Sequence, residues 1–188
     1  KGFVVPQAMG NDINCGMRFY TTDLSEESIR QKLPELAKKL RHIFFEGGRQ
    51  IPMTGRQREA LFRYGLEGLL ETYHDSGMRG LWRYYQPEVQ EKWLSRTVFR
   101  GSIQTAATEG LEDFIGSYGQ LTYDDQIGTI GGGNHFLEVQ RIAEIYDGQT
   151  ANAWNLKKGA VAVMLHTGSL TIGHHSGLLN RKICQEIY

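Results

Sequence analysis

Ala160-Val-Ala-Val-Met-Leu165 is an unbroken apolar run that passes directly into His166-Thr-Gly-Ser169. Six apolar residues between Gly159 and a polar segment are too few for a buried helix and suit a strand covered on both faces. Polar chemistry set at the end of a buried strand is a common way for sheets to build active sites. Upstream, Gly128-Thr-Ile-Gly-Gly-Gly133 reads as a turn. The strand predicted after it places Phe136 and Glu138 on one face and Leu137 and Val139 on the other.

Towards the N-terminus, Lys1–Pro6 reads as a strand, and Ile13, Cys15, Met17 and Phe19 are strand-like up to about Tyr20, with Gly10 and Gly16 as breakers. Residues 23 to 118 are predicted to be a mostly helical zone. Asp23 and Glu26 resemble a capping box, and Ile29, Leu33, Leu36, Leu40 and Ile43 recur at helical spacing, with Pro34 kinking that helix or starting another. Phe62, Leu66, Leu69 and Tyr73 form a second amphipathic face, weakened by Gly65 and Gly68. Leu178 to Tyr188 is again helical. The expected fold is α+β, one domain over residues 1–188, with a mixed sheet and helices packed around it. The absence of an initiator Met and of a helix stop after Tyr188 gives the expectation of a piece of a longer protein.

Composition narrows the function classes. The 188 residues are 40% hydrophobic and 22% charged, enough for a core and against wholesale disorder. Two cysteines, Cys15 and Cys184, exclude a disulfide scaffold and suit a reducing, cytoplasmic setting. No apolar run reaches the roughly 18 residues of a membrane span. The 21 basic and 21 acidic residues cancel, so a nucleic-acid partner has to be argued from motifs. The stretch from Trp82 to Phe99 interleaves Tyr84, Tyr85 and Trp93 with Arg83, Lys92 and Arg96. It suits an RNA-facing surface or, more commonly, solvated charges around a buried aromatic stripe.

Asp12, Cys15, His135 and His166 are the candidate site residues. One carboxylate, one thiol and two imidazoles make a borderline-soft ligand set suited to zinc, manganese, iron or cobalt. On an extended strand, positions 12 and 15 point to opposite faces, so one ion needs a bend at Asn14-Cys15-Gly16. The alternative is two ions, which a thiolate can bridge. Taken singly, a strand Cys is usually a small core hydrophobe and a His after a strand a hydrogen-bonded loop residue. The Gly-rich turn could cradle phosphate, but it lacks the Walker lysine and precedes a strand. His42 and His74 read as helix C-terminal cations, His174 or His175 as support for His166, and Cys184 as core.

Asn11-Asp-Ile-Asn-Cys-Gly-Met-Arg18, Gln126-Ile-Gly-Thr-Ile-Gly-Gly-Gly-Asn-His-Phe-Leu-Glu-Val-Gln140 and His166-Thr-Gly-Ser169 occur in this order. Together they resemble the RtcB family of RNA ligases, in outline over nearly the whole chain. The resemblance implies a manganese- and GTP-dependent enzyme of tRNA splicing or RNA repair. Such a ligase joins an RNA 3′-phosphate or 2′,3′-cyclic phosphate to a 5′-hydroxyl through a histidine-guanylate. It further implies Asp12, Cys15, His135 and His166 as ligands of two Mn2+ ions, with Cys15 as the bridge. By the same resemblance Asn134 contacts phosphate and Phe136 and Glu138 line the guanine site. RNA, GTP and an archease-like activator are the implied partners, and no membrane is.

Two departures stand out. The family's third motif usually reads His-Ser-Gly-Ser-Arg, whereas here Leu170 follows His166-Thr-Gly-Ser169. The family's third metal histidine and its guanylylated histidine are expected beyond Tyr188. Rival readings are a dinuclear metal-dependent phosphodiesterase, a Cys15 nucleophile activated by His135 or His166, and a noncatalytic RNA-binding homologue.

Overall fold

The computed structural model describes residues 5, 8, 10, 13–103, 105, 108, 110–123 and 127–187. Asp12 and most of the strand expected at Lys1–Pro6 lie outside them. Strand β1 runs Gly16–Ser25. Ser25 caps α1 (Glu26–Ile29), its side chain accepting from the Ser28 N–H. The capping box expected at Asp23 is thereby corrected: Asp23 still lies on the strand, where it pairs with Lys157 at 3.1 Å. Ser25 is the last extended residue, so its hydroxyl is the one that reaches the first unsatisfied N–H groups. Helix α2 (Leu33–Phe44) carries Pro34 in its first turn, where a missing N–H costs nothing. There follow β2 (Pro52–Met53), α3 (Gly55–Thr72), α4 (Pro87–Leu94), α5 (Glu112–Ile115), β3 (Thr122–Tyr123), β4 (Phe136–Arg141), α6 (Gly148–Ala153), β5 (Ala160–Thr167) and α7 (Leu170–Ile187).

The described residues form the expected α+β class. Their ladders are all antiparallel, in place of the mixed sheet expected: β1-β5-β4 in one sheet and β2-β3 in the other. The apolar run of β5 signals a central strand and says nothing of its direction.

Two compact units can be distinguished. One comprises residues 10–48 and 129–173 and contains the three-stranded sheet. Its register sets Met17, His166 and Phe136 side by side, and Phe19, Met164 and Glu138 in the next row but one. Side chains two apart share a face, so these six line one surface. Leu137 and Val139 point the other way, where they line a groove of about 550 Å3 with Leu33, Leu36, Ala37 and Leu40 of α2. The helical spacing read in α2 thus meets the inner face read in β4.

The other unit takes residues 49–128 with the two chain ends. Thr54 and Gln57 form the capping box that starts α3. Trp82 is buried, its indole donating to the Pro52 carbonyl at 2.7 Å. The buried guanidinium of Arg58 donates to the carbonyls of Ile115 and Thr122 and to the Thr122 hydroxyl, stapling α3 to α5 and β3. Burying a cation is costly, and these acceptors to its two terminal nitrogens offset part of that cost. Gly65, read as a weak point, is a kink with φ 60° and ψ −140°.

A Cβ on Gly65 would lie 2.2 Å from the Gly101 carbonyl oxygen, in a backbone conformation only glycine adopts easily. Gly65→Ala is expected to cost about 2–4 kcal/mol of stability, read as a lowered urea midpoint. An unchanged midpoint would show that α3 and the Gly101 turn can part without penalty.

Candidate functional site

Cys15 is aimed by a turn. Ile13 and Asn14, expected on a strand, instead form a turn in which Asn14 has φ 63°, a left-handed conformation asparagine tolerates. This described turn lies directly ahead of the thiol, while Asp12 falls outside the described residues. His135 ends the Gly-rich turn, its N–H donating to the Gly132 carbonyl at 3.3 Å. Gly131 has φ 83°, and a Cβ there would sit 3.2 Å from His135 Nδ1 and 2.7 Å from a Leu170 methyl. The glycine therefore leaves room for the imidazole. His166 lies within β5, one residue before its end, and not after the strand as expected; the ladder continues to Thr167.

The third motif ties the other two together. Thr167 Oγ1 donates to the Ile130 carbonyl at 3.0 Å, holding the Gly-rich turn. The Ser169 hydroxyl and its N–H both donate to the Ile13 carbonyl, holding the turn before Cys15. Sequence reading assigned neither hydroxyl a role. Two hydroxyl residues flanking a glycine at a strand end were the available signal, since such side chains favour backbone partners.

Cys15, His135 and His166 offer ligand atoms that all lie within 4.8 Å of one another. The Cys15 sulfur is 3.3 Å from His135 Nε2. Sulfur and nitrogen bound to one ion at about 2.3 and 2.0 Å would stand roughly 3.1–3.6 Å apart, so the pair fits a shared metal. His166 Nδ1 is 3.1 Å from the Gly16 carbonyl. A carbonyl only accepts, so Nδ1 carries the proton and Nε2 keeps the lone pair a metal needs. A Cys15 nucleophile would account for the sulfur–imidazole contact alone. The third donor, with its ring 5.4 Å from that of His135, favours a metal.

The other expected residues fall as follows. Phe136 sits beside His166, ring centroids 5.7 Å apart. Glu138 is exposed on the same face and accepts from Gln140 Nε2 at 2.7 Å. Asn134 is exposed in the turn before His135. Leu170 opens α7 with φ 47° and lays its methyl groups over Gly131. His42 lies in the last turn of α2, 3.8 Å from Glu46. Of His174 and His175, one of which was expected to support His166, His175 packs edge-on against Phe114, and Cys184 is half-buried on α7.

Comparison with known proteins fits this arrangement. The family described as tRNA-splicing ligase RtcB matches residues 1–186. The chain belongs to the RtcB family. A tRNA-splicing ligase RtcB of Aeropyrum pernix is 35% identical over 178 residues, 93% of this chain and 33% of that protein. Its counterpart in Pyrobaculum aerophilum is 31% identical over the same shares. RNA-splicing ligase RtcB homolog 1 of Entamoeba dispar is 31% identical over 99% of this chain and 31% of its own length. The chain thus spans about a third of these RtcB relatives.

The hydroxyl ties are testable apart from any chemistry. Ser169→Ala is expected to speed hydrogen exchange at the amides of residues 14–16, and Thr167→Val at residues 130–133, each at a cost of about 1 kcal/mol. Unaltered exchange would show that the turns are held without them.

Proposed function

We propose that the intact protein is an RNA ligase that uses GTP and manganese. It joins an RNA end bearing a 3′-phosphate or 2′,3′-cyclic phosphate to a 5′-hydroxyl end, through a guanylate carried on a histidine beyond Tyr188. Family membership supports the class, and one observation carries the site: Cys15, His135 and His166, distant in sequence, gather into a single three-donor cluster. In this reading Asp12 completes the ligand set for two Mn2+ ions, Cys15 bridges them, and zinc can replace manganese. The ions would neutralise triphosphate charge and favour attack at the α-phosphorus.

The chain's own residues then divide the work. The Gly16 carbonyl keeps His166 in the tautomer that ligates through Nε2. Asn134 donates to a phosphate oxygen, and the Glu138 carboxylate accepts from the guanine N–H groups while Gln140 holds it in place. Phe136 lies on the same face as Glu138, as a shared nucleotide would require. A cytoplasmic setting and an archease-like activator belong to the same reading. Among the described residues no helix is long and apolar enough to cross a membrane.

Labelled GTP with manganese tests the proposal. The intact protein is expected to trap GMP covalently on histidine, and Cys15→Ala is expected to lose both the label and the metal measured by elemental analysis. Phosphodiester hydrolysis with no trapped nucleotide would establish the dinuclear hydrolase instead. One ion retained at full affinity in Cys15→Ala would reject the bridge.

Leu170 stands where the family carries arginine, whose forked, always-charged donor set holds phosphate. Leu170→Arg in the intact protein is expected to raise RNA sealing by about tenfold, one decade being about 1.4 kcal/mol, with guanylylation nearly unchanged. Equal sealing would place the substrate phosphate elsewhere. Loss of guanylylation would show that the leucine's contact with Gly131 supports His135.

A further inference from the structure

In a chain of zero net charge, residues 79–101 hold five cationic and two acidic side chains. The C-terminal half of this segment is also apolar on its outside. Val98 is 78% exposed, Phe99 72% and Trp93, on the last turn of α4, 38%. The Thr97 hydroxyl donates to the Trp93 carbonyl at 2.9 Å and the Arg100 N–H to the Thr97 carbonyl, so Trp93 and Phe99 belong to one short stretch of surface.

The backbone turns sharply at the Phe99 ring. Phe99, Arg100 and Gly101 are three consecutive left-handed residues, with φ 50°, 53° and 73°. Side-chain-bearing residues rarely adopt that conformation, and it persists where surrounding contacts impose it. Here Arg100 is fixed to Glu67 of α3 at 2.6 Å, and the Gly101 carbonyl lies against the glycine kink at Gly65. An unconstrained turn could fold Phe99 inward, where its ring would leave water.

Among the described residues Lys92 and Arg96 form no ion pair, while Arg100 has its carboxylate. Exposed rings flanked by uncommitted cations match the two faces of a single nucleic-acid strand. Flat bases stack on aromatic side chains, and phosphates are neutralised by lysine and arginine. A protein partner would favour an apolar patch whose centre is depleted of charge, unlike this one.

We propose that Trp93, Val98 and Phe99, with Lys92 and Arg96, form a binding surface for single-stranded RNA. This deepens the ligase reading and rests on it for the identity of the nucleic acid. The surface recognises strand flexibility and phosphate spacing without base identity, since stacking is open to every base.

The test uses the intact protein and a labelled 12-nucleotide oligouridylate, read by fluorescence anisotropy across a salt series. Trp93→Ala with Phe99→Ala is expected to weaken binding about tenfold, and Trp93→Phe with Phe99→Tyr to leave it intact. Lys92→Gln with Arg96→Gln is expected to flatten the slope of log affinity against log salt by about 1.4, two phosphate contacts at about 0.7 each. Wild-type binding strength and salt slope in both the alanine pair and the glutamine pair would overturn the proposal and assign the patch to another contact. Should the alanine pair unfold, the glutamine pair, which alters only exposed charges, decides alone. Covalent GMP trapping is measured alongside: its absence in the wild type sinks the ligase reading, while the anisotropy series still decides this surface.

Discussion

Everything at the candidate site depends on β5 being hydrogen-bonded on both sides, to β1 and to β4. Because side chains alternate, a slip of one residue in either ladder would send His166 to one face and Phe136 or Met17 to the other. The apolar character of β5 resists that slip, with Val161 and Ala162 both buried. The polar end of the strand is placed by the same pairing, so the packing of one end sets the chemistry of the other. Thr167 and Ser169 extend this control to the turns that carry His135 and Cys15.

Much of this was legible in the residues. The alternation of Phe136 and Glu138 against Leu137 and Val139 survives in the observed register, because period-2 patterning reports which side meets apolar neighbours. The helical spacing of Leu33, Leu36 and Leu40 was read correctly for the same reason. Strand direction was not readable, since an apolar run records burial alone. The start of β1 was misplaced because Ile13 looks like a strand residue, while the left-handed turn at Asn14 has no hydrophobic signature.

Cys15, His135 and His166 were picked out by chemistry and order, and their convergence needed coordinates. Cys15 reaches His135 across 120 positions, a distance that no local spacing rule can bridge. The tautomer of His166 was likewise invisible, because its partner is a backbone carbonyl of Gly16, a group every residue has. Asp12 falls outside the described residues, so its place beside the other three rests on the motif. Arg58 shows the limit from the other side: a buried arginine reads as a surface charge until its carbonyl acceptors are seen.

The order of strands in the sheet has a consequence for the making of the protein. Strand β1 leaves the ribosome well before its described partner β5, with Met17 opposite His166 about 150 residues later. At about 5–20 residues per second, β1 waits roughly 7–30 s with its backbone groups unpaired. During that interval Met17 and Phe19 sit on a strand with open hydrogen-bonding edges, the situation that invites pairing with other chains. The three-stranded sheet can close only once β5 has been made, so the thiol of Cys15 and the imidazoles of His135 and His166 come together after that strand and not before.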